Sequence, residues 1–216
     1  VQWTLVVPVK PLARAKSRLS DTAADAVRPG LALAFAQDTV AAALAATAVR
    51  GVVVVTDDPL AARELTALGA RAVPEDPRGG PGDGLNAALR HGAALVRDVR
   101  PQSPVAALNA DLPALRPGEL TRVLGTAAAF PRAFLADAAG TGTTLLAAAP
   151  GHGLCPAFGP GSRTRHRRSG AVELDLTAVD SVRQDVDTGD DLRAALGLGV
   201  GPRTAAAAAR LLIPGQ

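Results

Sequence analysis

The sequence predicts an α/β domain built on a mostly parallel sheet with helices on both faces. Short, nearly continuous apolar runs carry part of this: TLVVPV (4–9), GVVVVT (51–56), ARAV (70–73) and PVAALN (104–109) read as strands buried on both sides. Longer stretches between them, 29–48, 59–68 and 85–97, carry apolar residues at helical spacing. Strand, helix and strand at this rhythm form βαβ units with parallel strands and right-handed crossovers.

Each element follows in order. The first strand opens into VPVKPLARAKSRLS (7–20), a loop without glycine. Helix 59–68 begins at Pro59, and Asp57 and Asp58 either cap it or, past the end of a strand, suit a divalent cation. Helix 85–97 has Gly84 and Asn86 at its start, after the turn PEDPRGGPGDG. Beyond strand 104–109, LNADLPAL (108–115) leads to a helix near 117. After residue 130 the pattern changes: RAFLAD and GTTLLAAA, joined by AAGTG, predict a β-hairpin. The Gly/Pro-rich PGHGLCPAFGPGS (150–162) is too long and too patterned for a connector and reads as a functional loop, with Ser162 opening a helix. In RQDVDTGDDL (183–192), Asp185 and Asp187 alternate as on a strand end, while Thr188 or Asp190 caps the next helix. TAAAAARLL (204–212) reads as a final helix. No repeat or linker interrupts the chain, which predicts a single domain over 1–216 with a hairpin and substrate loop at about 133–165.

Composition narrows the function. Apolar residues are 48% of the chain, but there are only four Phe, one Trp and no Tyr or Met, so Ala, Val and Leu must fill the core. The formal net charge is only +3 despite a pI near 9.9, which permits a polyanion partner without demanding one. A nucleic-acid-binding module would interleave aromatics with its basic residues, and this chain does not. Cys155 is the single cysteine, so no internal disulfide forms, as suits a reducing cytosol. Neither a signal peptide nor an apolar run of about 18 residues is seen, so the expectation is a cytoplasmic protein with no membrane span. His91, His152 and His166 lack evident partners and read as surface residues.

Among 21 arginines the chain has just two lysines, Lys10 and Lys16, and both lie in the 7–20 loop. Its two asparagines are Asn86 and Asn109. A compact ammonium on a flexible stem suits a phosphate whose charge moves during reaction, whereas a guanidinium suits fixed bidentate contacts. Ligands of open parallel sheets sit at the carboxyl ends of the strands. Four stretches fall there. The 7–20 loop offers Lys10, Arg14, Lys16 and Arg18 to an anion, or is a solvated basic loop. Asp111, just past a buried strand, suits a hard divalent cation or caps the next helix. Asp187 is left unexplained by capping and suits the same cation. GTGTT (140–144) with FGPGSRTRH (158–166) offers backbone amides and the Thr144 and Ser162 hydroxyls to an anion; the arginines after Ser162 form a phosphate-facing edge or a solvated helix face. Asn86 pairs with a base edge or is a turn residue.

VPVKPLARAKSRLS, VVVVTDD, GDGLNAAL, NADLPAL, GTGTT, FGPGS and DVDTGDDL occur in this order across nearly the whole chain. Together they resemble the phospholactate/phosphoenolpyruvate guanylyltransferases of coenzyme F-420 biosynthesis. The resemblance implies a Rossmann-like nucleotidyltransferase fold of the glycosyltransferase-A-like type. Relatives of that fold usually carry a glycine-rich L-A-G-G-type loop after strand one, and the Lys/Arg loop sets this chain apart. By the same resemblance Thr144, Gly159 and Ser162 hold the three-carbon phosphate acid. The opening loop, with Lys10, Lys16 and Arg18, holds the GTP phosphates and Asp111 and Asp187 hold Mg2+, so that Lys16 and Asp111 act in catalysis; backbone groups of the 79–86 loop, Gly84 among them, and Asn86 are the candidates for reading guanine. The family more often has Pro after D-V-D-T, where this chain has Gly189.

The implied partners are GTP and a three-carbon phosphorylated acid, with no stable nucleic-acid partner, no membrane, and oligomeric state open between monomer and homodimer. Rival readings are a nucleotidyltransferase acting on molybdopterin, 3-phosphoglycerate or a sugar phosphate, a regulatory relative without activity, and the basic nucleic-acid module. Lys16→Arg keeps the charge, and it is expected to lose most pyrophosphate-releasing activity; a silent substitution would show that lysine scarcity carried no information.

Overall fold

The computed structural model describes residues 1–14, 27–76 and 84–210. In chain order the strands are β1 (Trp3–Pro8), β2 (Val49–Val55), β3 (Arg71–Val73), β4 (Val105–Leu108), β5 (Arg132–Ala136), β6 (Thr143–Ala148) and β7 (Val172–Glu173). The helices are α1 (Arg28–Ala45), α2 (Pro59–Ala67), α3 (Gly84–Val99), α4 (Pro117–Ala127), α5 (Ser162–Arg168), α6 (Asp180–Arg183), α7 (Gly189–Leu198) and α8 (Pro202–Ala209), with a 3-10 turn at Leu12–Arg14.

All seven strands form one sheet in the order β3-β2-β1-β4-β6-β5-β7. β1 pairs in parallel with β2 and β4, and β2 with β3, so the first half is the βαβ arrangement that the apolar runs predict. The hairpin also forms, but β6 and not β5 lies beside β4, antiparallel to it. β6 therefore starts where β4 ends, and residues 143 and 144 arrive at the carboxyl edge of the parallel strands. The short β7, outside the sequence expectation, adds in parallel to β5.

Side chains divide between two faces. On one, α1, α2 and α4 cover Leu5, Val7, Val52, Val54, Ala106 and Leu108. On the other, α3 and the 154–158 segment cover Val6, Val53, Val55, Ala107, Phe134 and Leu146. A third cluster sets Leu31 and Phe35 of α1 against Ala114, Val186, Leu192 and Ala195, which docks the C-terminal segment beside the end of β4. α8 joins it: the buried Asp38 carboxylate of α1 accepts from the Thr204 N–H at 2.7 Å and the Arg203 N–H at 3.3 Å. α8 packs on α1 and runs to Ala209; residues 211 and 212 of the expected helix lie outside the described residues. Among the described residues no helix is long and apolar enough to cross a membrane.

α3 approaches the sheet closely because its buried stripe (Ala88, Leu89, Gly92, Ala93, Val96) is built largely of small residues. A methyl group on Gly92 would come within 2.5 Å of a Val6 methyl and 2.9 Å of a Val55 methyl. β-Branched side chains in a sheet have few rotamers with which to yield. Gly92→Ala is therefore expected to destabilise the protein by about 1–3 kcal/mol in urea unfolding, outweighing the gain in helix propensity. A neutral or stabilising result would mean that α3 has room to retreat.

Candidate functional site

The carboxyl edge of β4 is organised by backbone bonds from distant parts of the chain. The Asn109 N–H donates to the Thr144 carbonyl at 3.0 Å, extending the β4–β6 ladder by one step. The Leu112 N–H donates at 3.0 Å to the Thr39 hydroxyl, which is buried and itself donates to the Phe35 carbonyl at 2.7 Å. The Val186 N–H donates to the Asp111 carbonyl at 3.0 Å. Asp111 is thus held between α1 and the segment leading into α7, and Asp187 follows the residue that binds it. This differs from the strand end expected at 185–187. Those residues form a coil after the one-turn α6, because Val186 is anchored among Phe35, Ala114 and Leu192. Asp187 is exposed and Asp111 half-buried. Thr188 caps α7 in a reciprocal box with Asp191, as the sequence indicates, and leaves Asp187 outside the cap.

Thr144 sits at a register shift. Leu135 faces Leu145 while Ala136 faces Thr143, so Thr144 is the extra residue of a bulge in β6. It is fully buried, and its hydroxyl has no hydrogen-bond partner among the described residues. A buried hydroxyl without a partner costs about 1–3 kcal/mol, which an incoming ligand atom would relieve.

The glycines of 140–144 do not present free amides. The Asp137 carboxylate closes this turn on itself, accepting from the Thr141 N–H at 2.9 Å and the Gly142 N–H at 2.8 Å. The anion-donor reading is thereby corrected for these two amides, since a local carboxylate outcompetes solvent for them. The following loop is ordered differently. Gly159 and Gly161 take φ of +115° and +72°, values that L side chains rarely adopt, and Ser162 begins α5 with its N–H donating to the Gly159 carbonyl at 3.0 Å. Ser162 is 1% exposed.

Two side chains hold this loop. Asn86, in the first turn of α3, donates through Nδ2 to the Phe158 carbonyl at 3.2 Å and accepts from the Phe158 N–H at 2.8 Å. One N–H and the oxygen of its amide are thus engaged with the loop. His166 is fully buried, which corrects its assignment to the surface. Its Nε2 accepts from the Ala157 N–H at 2.9 Å, and its Nδ1 meets the Thr143 hydroxyl at 2.9 Å. Because Nε2 accepts, the proton of the neutral ring resides on Nδ1. The ring packs on Phe134 and edge-on to Phe158. The one-turn spacing of Ser162 and His166 on α5 was the available signal, obscured by the arginines between them.

Those arginines are mostly structural. Arg163 binds the Glu173 carboxylate and the Gly140 carbonyl, each at 2.8 Å, and Arg167 binds the other Glu173 oxygen. Arg165 reaches the Ala157 and Pro160 carbonyls. Arg132 gathers the carbonyls of Leu154, Cys155 and Ser169.

Lys16 and Arg18 lie outside the described residues, as do 77–83 before α3. Gly84 is the exposed first residue of α3. Lys10 is exposed beyond β1, where the Val9 N–H bonds the Val55 carbonyl. Burial and the Asp57 carboxylate raise Glu75 above the usual carboxylate range, and the Lys10 charge opposes them. Asp58 caps α2 and also accepts from the Leu12 N–H at 2.9 Å, tying the opening loop to that helix. Burial alone would raise the Asp58 pKa, but backbone donors from Ala61, Leu12 and Leu60 together lower it.

The fit of a divalent cation rests on donor chemistry. Among the described residues no group of three or more His, Cys, Asp or Glu is placed to hold a metal. Two carboxylates brought to one edge are nonetheless the protein share that Mg2+ takes when substrate phosphates and water supply the rest.

Comparison with known proteins agrees with this architecture. The family described as "Guanylyl transferase CofC like" matches residues 3–205. A phosphoenolpyruvate guanylyltransferase of Streptomyces scabiei (strain 87.22) is 98% identical over 216 residues, all of both chains. One of Streptomyces coelicolor is 76% identical, again over the whole of both. Among solved structures, a nucleotidyl transferase from Methanothermobacter thermautotroptrophicus has a TM-score of 0.60 at 20% identity, covering 91% of this chain and 97% of that one. A 4-diphosphocytidyl-2C-methyl-D-erythritol synthase has a TM-score of 0.57 at 14% identity, covering 91% and 98%. These two establish likeness of fold.

Burial of His166, and after it the Arg132 and Arg165 charges, lower its pKa from 6.5 to about 4. The unfolded chain then takes up a proton that the folded one refuses, so stability is lost as pH falls from 6.5 towards 4. Urea unfolding of the wild type is expected to lose on the order of 2 kcal/mol more than His166→Gln between pH 7 and 4.5. Parallel pH profiles of the two proteins would remove His166 as the source.

Proposed function

The chain belongs to the guanylyl transferase CofC-like family, and from that premise we propose that it transfers GMP from GTP to phosphoenolpyruvate, releasing pyrophosphate, in coenzyme F-420 biosynthesis. One observation supports the chemistry above the rest. A buried unpartnered hydroxyl at Thr144 and the carboxylates of Asp111 and Asp187 are gathered at one sheet edge, the former joined to the latter segment through Asn109. Gly159 and Ser162 lie on the loop tied to the same end of β6, through His166 on Thr143 and the Arg163 N–H on the Thr141 carbonyl.

In this reading a phosphate oxygen of phosphoenolpyruvate attacks the α-phosphorus of GTP. A P–O bond forms, the bond to the bridging α,β-oxygen breaks, and pyrophosphate leaves with the electron pair. The nucleophile needs no general base, because a phosphate monoester with a second pKa of about 6 is mostly dianionic at neutral pH. His166, with both ring nitrogens engaged in holding the loop, is accordingly spared that task.

The obstacle is repulsion between two polyanions, about 4 kcal/mol for each close pair of unit charges at 4 Å and an effective dielectric near 20. Thr144, Gly159 and Ser162 hold the acceptor phosphate, and Lys10, Lys16 and Arg18 face the triphosphate, where a mobile ammonium follows charge onto the leaving group. Asp111 and Asp187 would hold Mg2+, which when bound neutralises phosphate charge and orients the groups. The protein's contribution is therefore positioning and electrostatics. We place the reaction in the cytoplasm, where both substrates are available and a lone exposed cysteine persists as a thiol.

Pyrophosphate release should be measured with GTP, ATP, CTP and UTP, each crossed with phosphoenolpyruvate, 2-phospholactate and 3-phosphoglycerate. GTP with phosphoenolpyruvate is expected to be the best pair; no release with any three-carbon phosphate would overturn the reading. Asp111→Asn is expected to lower turnover at least about 100-fold with an unchanged melting temperature, and unaltered turnover would remove Asp111 from the site.

A further inference from the structure

The acceptor loop is fixed by two side chains from different elements, and both attach to adjacent peptide units. Asn86 of α3 engages the N–H and the carbonyl of Phe158, and His166 of α5 takes the neighbouring Ala157 N–H while its other nitrogen is fastened to Thr143 of β6. We propose that Asn86 and His166 are positioning residues for the acceptor, setting the 157–162 loop against the start of β6, and that Asn86 does not read the nucleotide base. This deepens the functional reading above and rests on its assignment of Gly159 and Ser162 to the acceptor.

The geometry carries the argument. An amide that donates to a carbonyl and accepts from the N–H of the same residue mimics a strand partner, so it fixes both position and orientation of that peptide. Turning the Asn86 amide to a base would leave the Phe158 N–H and carbonyl without these bonds. Phe158 is 7% exposed, so water could not readily replace them. His166 supplies the second anchor only as a neutral ring, because an imidazolium has no lone pair for the Ala157 N–H. The Phe158 ring lies edge-on to the imidazole, with centroids 5.0 Å apart, so the two anchors share one packed unit. One residue beyond it, Gly159 starts the left-handed turns that deliver Ser162 to the head of α5. An error of about 1 Å in such a loop is enough to cost a large factor in a reaction that depends on positioning.

Four variants test the proposal: Asn86→Leu, Asn86→Asp, His166→Phe and His166→Gln. Asn86→Leu is expected to raise KM for phosphoenolpyruvate tenfold or more, with KM for GTP within twofold of wild type and the preference for GTP over ATP retained. Asn86→Asp, which can still accept from the Phe158 N–H, should fall between Asn86→Leu and wild type. His166→Gln restores an acceptor for Ala157 and should recover most of the acceptor affinity lost in His166→Phe. A fall in GTP-over-ATP discrimination in Asn86→Leu, with acceptor KM unmoved, would overturn the proposal, as would equal behaviour of the Gln and Phe variants. Backbone hydrogen exchange at residues 157 and 158 supplies a readout independent of turnover and of global unfolding. Faster exchange there in Asn86→Leu and His166→Phe, beyond any change elsewhere, is expected, and unchanged exchange overturns the anchoring. If the wild type itself releases no pyrophosphate from GTP with phosphoenolpyruvate, the functional reading fails, and the exchange experiment still decides whether these residues hold the loop.

Discussion

A single backbone hydrogen bond, from the Val186 N–H to the Asp111 carbonyl, organises the carboxyl edge of β4. It joins the end of a parallel strand to a segment that arrives after the whole second half of the fold has been laid down. Asp187 owes its place to that bond and to the apolar seat of Val186 among Phe35, Ala114 and Leu192. The Thr39 hydroxyl holds the same stretch from the other side. Two carboxylates repel, and a fold that brings them to one edge must fix their backbones independently of their charge. Here apolar packing and neutral peptide bonds do so.

The segment between β6 and α5 follows a complementary logic. A loop rich in glycine and proline has little intrinsic preference for one shape, so its order must come from side chains elsewhere. Arg132, Arg163 and Arg165 collect carbonyls of the loop and its surroundings, and Asn86 and His166 collect N–H groups or both. Arginine serves as a structural clamp throughout this region because its fork satisfies several carbonyls from one fixed plane. That use turns much of the segment's charge onto its own backbone.

Much of this was legible in the residues themselves. The apolar runs identified β1, β2, β3 and β4, and the capping residues Asp58 and Thr188 marked the starts of α2 and α7. Ser162 was recognisable as a helix start, and the ordered set of motifs pointed to the family. Other features were not legible. His166 looked like one polar residue in an arginine-rich helix face; only the packing of Phe134 and Phe158 around it reveals a buried ring. Asp137 could not be seen to consume the amides of its own turn, because that depends on the hairpin's local shape.

The sequence by itself determined the class of fold, the identity of the elements and the inventory of chemical groups, because periodicity and local capping act over a few residues. Tertiary structure alone decided that β6 enters between β4 and β5, that a bulge buries the Thr144 hydroxyl, and that Asn86 faces a loop seventy-two positions away. Those outcomes depend on non-local pairing, where many registers are compatible with the same apolar pattern and only the packed whole selects one. Lys16 of the opening loop stands on the sequence alone, since it lies outside the described residues.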